Sequence, residues 1–419
     1  MKEVNASIIT IGDELLIGQT IDTNSAFIAK ELNKIGIWIK RKLAVADTKE
    51  EILSALDLQS KDSDIVIITG GLGPTADDIT KPALCEFFKS ELIINEGALE
   101  NVKNIFKQLG RLVTDRNTKQ AEVLSNCKVL ENKRGTAPGM WFNHNDMIYV
   151  SLPGVPHEMK GLMVDAVIPE IRKTFALPAV VHKTLLTAGI GESDLADKLQ
   201  DFEDSLPLHI KLAYLPSYGM VRLRLTAKNN DVHDLEPEVL EHFTTLKTIT
   251  REWLVIDEDL SIQEAIFILL NERGKTLSTA ESCTGGYIAH LITSIAGSSK
   301  IFNGSIISYA NDVKTNLLKV DEKTLKEVGA VSEETVLEML KGLLSQFNTD
   351  YGLATSGIMG PTGGSEEKPV GTVWIAVGKK GNMKAKKFKF RFDRKRNIEL
   401  TAFAALNMLR KWILEEEAG

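Results

Sequence analysis

The sequence has few cysteines and no spacing that would pair them. Only Cys85, Cys127 and Cys283 occur in 419 residues, and no two of them form a Cys-x-x-Cys pair. An odd and widely spaced set of this kind excludes a disulfide framework and a structural zinc site. Free thiols are typical of proteins that work in a reducing compartment, so we expect a cytoplasmic protein.

Long apolar runs and an excess of positive charge are also absent. No stretch of eighteen or more apolar residues occurs, so we expect no membrane span. The N-terminus passes almost directly into a strand-like segment at Ser7 and lacks the apolar region of a signal peptide. The net charge of −7 argues against broad nucleic-acid binding. The sequence therefore predicts neither a membrane partner nor a nucleic-acid partner.

The sequence does have enough apolar residues for two or three domains, with 43% hydrophobic and 26% charged residues. Residues 1–175 alternate strand-like and helix-like segments, which predicts a parallel α/β sheet. Residues 176–256 have the pattern of a small α+β domain, with clean alternation over 219–228. Residues 257–419 return to an α/β pattern, in which Ser261 is placed to cap the first helix.

The most informative segment is TAESCTGG at 279–286. It follows a short apolar run and precedes an apolar-periodic segment, a pattern that predicts a strand, a tight turn and a helix. Such a turn directs backbone N–H groups at a ligand and would present Ser282 as a nucleophile. Taken alone, however, the segment favours a simple helix cap with close-packed glycines. Cys283 is a rival nucleophile, although we expect its side chain to face away.

Three further segments of this domain have unusual chemistry: YANDVK (309–314), ATSGIMGPTGG (354–364) and PVGTVW (369–374). Loops that follow parallel strands gather at one sheet edge, where α/β proteins place ligands. A serine beside glycine-rich donors, with Lys314 as a base of lowered pKa, suggests acyl transfer at an amide or ester carbonyl. Lys314 could equally be an ordinary surface lysine. His290 stands alone on an apolar helix, and we expect it to pack in the core.

Together, TAESCTGG, SYANDVKTNLL, ATSGIMGPTGG and KPVGTVWIAVG resemble the C-terminal domain of the CinA family, a nicotinamide-nucleotide amidase, over residues 258–419. The resemblance implies hydrolysis of nicotinamide mononucleotide to nicotinate mononucleotide and ammonia, with no metal or other cofactor. It implies Ser282 as nucleophile, with Lys314 and Tyr309 assisting proton transfer. The other site residues it implies are Thr355 as a further catalytic residue and Thr284, Gly285, Gly286, Asn311, Ser356, Gly357 and Arg394 as substrate contacts.

The chain departs from the family pattern near the phosphate-binding arginine. Phe392 stands where many members have glycine in a Gly-Asp-Arg motif, and Ile398 stands where they have a second arginine. Phosphate binding is therefore expected to rely on Arg394, with Arg396 as the substitute for the missing side chain. The guanidinium fork matches phosphate oxygens well.

Two glycine- and carboxylate-rich segments follow strands of the N-terminal domain. GDELLIG (12–18), with DTN at 22–24, follows the first strand, and GGLGPTADD (70–78) follows a buried one. Glycines let backbone approach phosphate, and carboxylates can hold a divalent cation that bridges phosphate oxygens. One such segment is more typical of a helix cap, but two at strand ends predict a phosphate site with a cation.

With GTAPG (135–139) and LPGVPHE (152–158), these segments resemble the MoCF-type, molybdopterin-binding-like domain that begins CinA proteins, over residues 4–170. That resemblance implies ADP-ribose pyrophosphatase activity, which gives AMP and ribose 5-phosphate with Mg²⁺ or Co²⁺ and is helped by K⁺. The metal or water-activating candidates are Asp13, Glu14, Asp77 and Asp78. The ligand contacts are Asn24, Gly71, Gly73 and Thr75, whereas His157 is given a structural role.

The middle segment resembles the KH-like domain of full-length CinA proteins but lacks a basic Gly-x-x-Gly loop, so RNA binding is not expected. The sequence thus predicts an α/β MoCF-type domain (1–175), a KH-like α+β domain (176–256) and an α/β amidase domain (257–419). The leading hypothesis is a homodimeric bifunctional enzyme of pyridine-nucleotide salvage. Two alternatives stay open: a non-enzymatic pterin- or nucleotide-binding regulator of competence or DNA damage, and an active amidase with a binding-only N-terminal domain.

Overall fold

The computed structural model of the chain describes residues 4–75, 78–217, 219–229 and 235–418. Asp77, one of the predicted metal ligands, lies outside these described residues. The chain forms two compact units. The first comprises residues 1–181 and 227–236, and the second comprises residues 182–226 and 237–419. Within the described residues, no helix has the combined length and apolar character needed to cross a membrane.

The first unit is built on a six-stranded sheet of order β2-β1-β3-β8-β7-β6. Strands β1, β2, β3 and β8 run parallel, and β7 and β6 continue the sheet in antiparallel pairs. The strands of the six-stranded sheet are β1 (Asn5–Ile11), β2 (Trp38–Val45), β3 (Ile65–Thr69), β6 (Lys128–Leu130), β7 (Gly139–His144) and β8 (Met147–Leu152). Strands β4 (Leu92–Ile94) and β5 (Glu122–Leu124) form a separate antiparallel pair. The helices are α1 (Asp13–Leu16), α2 (Thr23–Lys34), α3 (Lys49–Gln59), α4 (Thr80–Phe88), α5 (Glu96–Gln108), α6 (Asp115–Thr118), α7 (Pro156–Leu162) and α8 (Ile168–Thr174).

Strand β3 explains why this sheet lies between two layers of helices. All five of its residues are buried. Ile65 and Ile67 belong to one apolar core, and Val66 and Ile68 belong to the core on the opposite face. Successive side chains of a strand point to opposite faces, so an uninterrupted β-branched run is typical of a central strand covered on both sides. The predicted parallel α/β fold is confirmed here.

The second unit contains two sheets. The first has the order β10-β11-β9-β12 and the second has the order β14-β13-β15-β16-β17. The strands are β9 (Ala179–Ala188), β10 (Ile210–Ser217), β11 (Met220–Asn229), β12 (Leu254–Ile256), β13 (Leu277–Glu281), β14 (Phe302–Ile307), β15 (Tyr351–Gly357), β16 (Thr372–Lys379) and β17 (Asn382–Lys389). The helices are α9 (Glu192–Asp204), α10 (Leu235–Ile249), α11 (Ile262–Glu272), α12 (Tyr287–Thr293), α13 (Asn311–Asn316), α14 (Glu322–Glu327), α15 (Glu333–Phe347) and α16 (Arg394–Ala418).

The five-stranded sheet brings the predicted segments to one edge. Strands β13, β14 and β15 run parallel, so the loops that follow them emerge together. Strand β16 is antiparallel to β15, and its first residues therefore reach the same edge from the opposite direction. As predicted, Ser261 caps α11, where it forms a capping box with Glu264. The expectation for His290 is wrong, because its side chain is exposed beside Tyr287 on the outer face of α12.

Candidate active site

The predicted strand, turn and helix around Ser282 are confirmed. Strand β13 ends at Glu281, residues 282–286 form the turn, and α12 begins at Tyr287. The Ser282 N–H donates to the carbonyl oxygen of Thr355 at 3.0 Å, which fixes the turn to the neighbouring strand. Gly286 has φ 97°, and a Cβ there would lie 2.9 Å from Cδ1 of Ile307. The left-handed backbone conformation favours glycine at this position, and any larger residue would also have to displace the exposed Ile307 side chain.

Glu281, not Ser282, satisfies the start of helix α12. Its carboxylate is fully buried and accepts the N–H groups of Gly286, Ile288 and Ala289 at 3.0, 3.1 and 2.8 Å. Free N–H groups at a helix start need such acceptors, and an anion there also complements the helix dipole. The group that caps this helix is therefore the Glu281 carboxylate, and the Ser282 hydroxyl is left for another role. Sequence reasoning missed Glu281 because it reads as part of the strand.

Removing this carboxylate provides a local test. Glu281→Gln leaves one acceptor oxygen for three N–H donors, and an unsatisfied buried donor costs about 1–3 kcal/mol. We expect amide hydrogen exchange at Ile288 and Ala289 to accelerate roughly 5- to 100-fold. The matched control is Glu333→Gln in the first turn of α15, where the acid is exposed and exchange should change little. Unchanged exchange in Glu281→Gln would contradict the capping role.

Lys314 meets Ser282 in the folded chain. Its Nζ lies 3.0 Å from the Oγ of Ser282, 2.6 Å from the carbonyl oxygen of Ser308 and 3.3 Å from that of Tyr309. The lysine is 1% exposed, and this burial lowers its pKa below the ordinary value of 10.5. The alternative of an ordinary surface lysine is wrong. Its two carbonyl acceptors could not be predicted from the sequence, because both belong to the main chain.

Cys283 is not a competing nucleophile. Its side chain lies in the apolar core with Ile288 and Val373. Burial raises the pKa of the thiol to about 12. Since the thiolate is the reactive form of cysteine, this group is inert near neutral pH.

Thr355 and Ser356 leave strand β15 on opposite faces, because neighbouring strand residues alternate. The Thr355 hydroxyl lies 2.9 Å from that of Thr284, and both are buried. The Ser356 hydroxyl donates to the carbonyl oxygen of Ala330 at 2.5 Å. The two hydroxyls therefore lie on opposite faces of the strand and cannot both face Ser282. Gly357 ends the same strand.

Tyr309 and Arg394 are joined at the edge of the site. Tyr309 has a 62% exposed side chain, and its hydroxyl accepts from Nη2 of Arg394 at 3.0 Å. Arg394 also donates through Nη1 to the carbonyl oxygen of Gly360 at 2.9 Å. The tyrosine thus touches Lys314 through its main chain and Arg394 through its side chain. Gly285 and Asn311 are both exposed, at the turn and at the start of α13 respectively.

Two residues near Arg394 behave differently from the prediction or were missed by it. The guanidinium of Arg396 lies over the ring of Phe392, 4.2 Å from its centroid, and lines a cavity with Pro216 and Ser217. It does not share the contacts of Arg394. Asn397 is fully buried and donates to the carbonyl oxygens of Met359 (3.1 Å) and Phe392 (2.8 Å). It ties the glycine-rich loop to the first turn of α16.

In the first unit, the predicted ligand contacts Gly73 and Thr75 surround a side chain of the protein itself. The N–H groups of both residues donate to the carboxylate of Asp78, at 2.8 and 2.9 Å, and the Thr75 hydroxyl donates to it as well. Gly71 has φ 62°, and a Cβ there would lie 2.1 Å from Oγ1 of Thr80. The described residues of this loop therefore pack closely against Asp78 and Thr80.

Asn24 bridges the loops at this sheet edge. Its Nδ2 donates to the carbonyl oxygen of Gly154 at 2.8 Å and to Oγ1 of Thr69 at 3.3 Å. Its buried Oδ1 has no partner within the described chain. The Asn24 side chain therefore has one unused hydrogen-bond acceptor, its Oδ1. His157, given a structural role by the sequence, is exposed at the start of α7.

Carboxylates concentrate at the same edge, and one of them was not predicted. Asp47 follows β2 and exchanges main-chain to side-chain hydrogen bonds of 3.2 Å with Asp13. Burial, followed by the charges of Asp13, Glu14 and Asp78, raises the pKa of Asp47, and the N–H of Asp13 opposes this rise. The signal that could have found Asp47 is its position after a third strand at this edge.

Carboxylate oxygens are suitable ligands for Mg²⁺. Among the described residues, however, no group of three His, Cys, Asp or Glu side chains is arranged to hold an ion. A cation here would depend on oxygens of a bound phosphate or on Asp77, which lies outside the described residues.

Comparison with known families divides the chain into three parts. Residues 7–173 match the family described as probable molybdopterin binding domain. Residues 182–250 match the damage-inducible protein CinA KH domain, and residues 259–413 match the CinA C-terminal domain.

Similar proteins extend over the whole chain. A CinA-like protein of Cytophaga hutchinsonii is 46% identical over 413 residues, which cover 98% of this chain and 99% of that protein. A CinA-like protein of Flavobacterium psychrophilum is 45% identical over 414 residues, with coverage of 98% and 99%. A solved structure described as competence/damage inducible protein CihA from Agrobacterium tumefaciens is 39% identical. It covers 35% of this chain and 91% of its own, with a TM-score of 0.35.

Proposed function

The chain belongs to the CinA family, and on that premise we propose that its C-terminal domain is a serine amidase acting on nicotinamide mononucleotide. The reaction is hydrolysis of the carboxamide to nicotinate mononucleotide and ammonia. The observation that carries the proposal is the buried 3.0 Å contact between Ser282 Oγ and Lys314 Nζ. The direct test is ammonia release from nicotinamide mononucleotide by the purified full-length chain. The absence of release by the wild type would refute the proposal.

The surroundings of Lys314 suit a neutral amine that acts as a general base. A neutral amine has two N–H donors and one lone pair. The carbonyl oxygens of Ser308 and Tyr309 can accept the two N–H groups, which leaves the lone pair for the Ser282 hydroxyl. Burial supports the same protonation state, because it lowers the pKa of the lysine.

The reaction then follows the logic of an activated serine. The Ser282 oxygen attacks the carboxamide carbon while its proton moves to Lys314 Nζ. The tetrahedral intermediate breaks its C–N bond, and Lys314 returns the proton to the leaving ammonia. Water, deprotonated by Lys314, attacks the acyl ester, whose C–O bond to Ser282 then breaks. Nicotinate mononucleotide leaves, and Lys314 returns the proton to the Ser282 oxygen.

Backbone N–H groups of the serine turn are suited to stabilise the oxyanion. Within the described part of the chain, the N–H group of Thr284 donates to no main-chain acceptor. Donors that are fixed in place before charge develops make the largest contribution in such sites. The Glu281 carboxylate and the Thr355 carbonyl hold this turn rigid, which keeps the donors in position.

Arg394 is proposed to bind the ribose phosphate. Its removal deletes a charge-assisted contact of about 1.5–3 kcal/mol, so Arg394→Ala should raise KM for nicotinamide mononucleotide roughly 10- to 100-fold. KM for nicotinamide riboside, which lacks the phosphate, should change far less. Arg396→Ala is the matched control, because this guanidinium stacks on Phe392. Equal losses on both substrates in Arg394→Ala would remove the phosphate role.

We propose a second, metal-dependent activity for the N-terminal domain: cleavage of ADP-ribose to AMP and ribose 5-phosphate. The observation in its favour is that the charges of Asp13, Glu14 and Asp78 help to raise the pKa of Asp47, a repulsion that a divalent cation held jointly with phosphate oxygens would relieve. A cation there supplies charge neutralisation at the pyrophosphate.

AMP formation from ADP-ribose should require added Mg²⁺ or Co²⁺, increase with K⁺, and stop in a chelator. We expect Asp13→Asn and Asp78→Ala to lower the rate at least about 100-fold. Ser282→Ala is the control, and it should retain the full rate, because it removes only the amidase nucleophile. Binding of ADP-ribose without AMP formation would instead support a binding-only domain.

A further inference from the structure

A cavity of about 530 Å³ in the second unit is lined by none of the residues assigned above to either reaction. Its volume falls in the range of about 300–1,000 Å³ that small-molecule sites occupy. One wall comes from helix α16, a second from strand β17 and its end, and a third from the ends of β9 and β11.

The residues of the two longer walls follow the side-chain periodicity of a helix and of a strand. The α16 wall consists of residues spaced three and four apart: Leu400, Phe403, Ala404, Asn407, Met408 and Lys411. This spacing places them on one helix face. Along β17, the alternate residues Lys384, Lys386 and Phe388 share one face of the strand, and Phe390 follows in the same register. Met220 and Ala188 close the opposite side.

The interior of the cavity favours a flat aromatic body. The rings of Phe388 and Phe390 are nearly parallel, with centroids 5.9 Å apart and an interplanar angle of 12°. Met220 and Met408 add flexible thioethers that pack well against aromatic rings. Aromatic pairs gain from such offset stacking beyond their apolar burial.

The rim carries an excess of positive charge. Lys384, Lys386 and Lys411 contribute three positive charges and Glu415 one negative charge, a net of +2. Lys384 pairs with Glu415 at 2.7 Å, and Lys386 lies 5.4 Å above the ring of Phe388. Lys411 has no carboxylate partner among the described residues. Two ammonium groups are thus available at the mouth of an apolar cavity.

We propose that this cavity binds a small aromatic anion, meaning a fused or linked ring system bearing one carboxylate or sulfonate. The rings lie between α16 and the Phe388–Phe390 pair. The anionic group lies at the rim and pairs with Lys386 and Lys411.

The test uses the full-length chain and two dyes. 8-Anilinonaphthalene-1-sulfonate is an aromatic anion, and N-phenyl-1-naphthylamine is its uncharged analogue. Both should bind saturably at one site, with enhanced fluorescence. Ala404→Phe fills the cavity from the helix wall and should weaken both dyes at least about tenfold. Ala404→Ser, which preserves the space, should bind both dyes like the wild type.

Charge recognition is tested by the double variant Lys386→Gln with Lys411→Gln. It should weaken the anionic dye about tenfold and leave the neutral dye within about twofold. Met220→Trp fills the same space from the opposite wall and serves if Ala404→Phe fails to fold. Wild-type binding of the anionic dye in a folded cavity-filling variant would overturn the site. Equal effects of the lysine changes on the two dyes would overturn anion recognition.

Discussion

Replacing Ser282 by alanine is expected to lower kcat for ammonia release from nicotinamide mononucleotide by roughly 10⁴- to 10⁶-fold, the range seen when a nucleophile is deleted. The physical reason is that Ser282 supplies the only hydroxyl that contacts Lys314 Nζ among the described residues. The fold should survive, because Glu281 rather than the serine hydroxyl caps α12. Ammonia release under saturating substrate measures the effect.

The adjacent cysteine provides the matched control. Cys283→Ala removes a thiol that is buried in the core with a pKa of about 12, and it should retain kcat within about threefold. A loss in Cys283→Ala comparable to that in Ser282→Ala would contradict serine chemistry. Full activity in Ser282→Ala would exclude the serine as the attacking group.

Replacing Lys314 by methionine, which preserves length and burial, is expected to lower kcat/KM at least about 10³-fold, because the serine loses its proton acceptor. Only the neutral amine accepts a proton. The wild-type rate should therefore rise with pH and level off above the lowered pKa of Lys314, which lies below 10.5. Profiles of kcat/KM from about pH 6 to 10 check this acid limb, and Lys314→Met should lack it.

Stability gives a second measurement that does not depend on catalysis. The folded-state pKa of Lys314 is lower than that of the unfolded chain, so the unfolded chain binds more protons between the two values. The free energy of unfolding therefore rises with pH in this window. The difference in melting temperature between wild type and Lys314→Met should move in favour of wild type as pH rises toward 10. A pH-independent difference would mean that the pKa of Lys314 is not lowered.

The fold was predictable where the residue pattern of an element shows which of its faces are buried or where it is capped. The β-branched run of β3, the alternation of β11 and the Ser261 cap of α11 each indicate their structure directly. Strand β17 was missed, because lysines occupy half of its positions. The antiparallel direction of β16 depends on sheet pairing, which local sequence does not record.

The candidate site was predictable in its residues and less so in their contacts. Ser282 and Lys314 meet as the spacing of loops on one sheet edge suggests. No sequence pattern indicates that Tyr309 contacts Lys314 through its main-chain carbonyl and Arg394 through its side-chain hydroxyl. Nor could the chain order show that Gly73 and Thr75 close around Asp78. Each of these depends on side-chain direction, which only tertiary packing decides.

The two acceptors of Lys314 are carbonyl oxygens of the peptide chain, at Ser308 and Tyr309. Every amino acid supplies the same carbonyl, so no single codon change at either position deletes an acceptor. Substitutions at these two positions therefore leave both hydrogen-bond acceptors of Lys314 in place, whereas a substitution of Arg394 removes its side-chain contact. Directed evolution toward other carboxamides should therefore find tolerated changes around the phosphate contact first and leave the serine–lysine pair working unchanged.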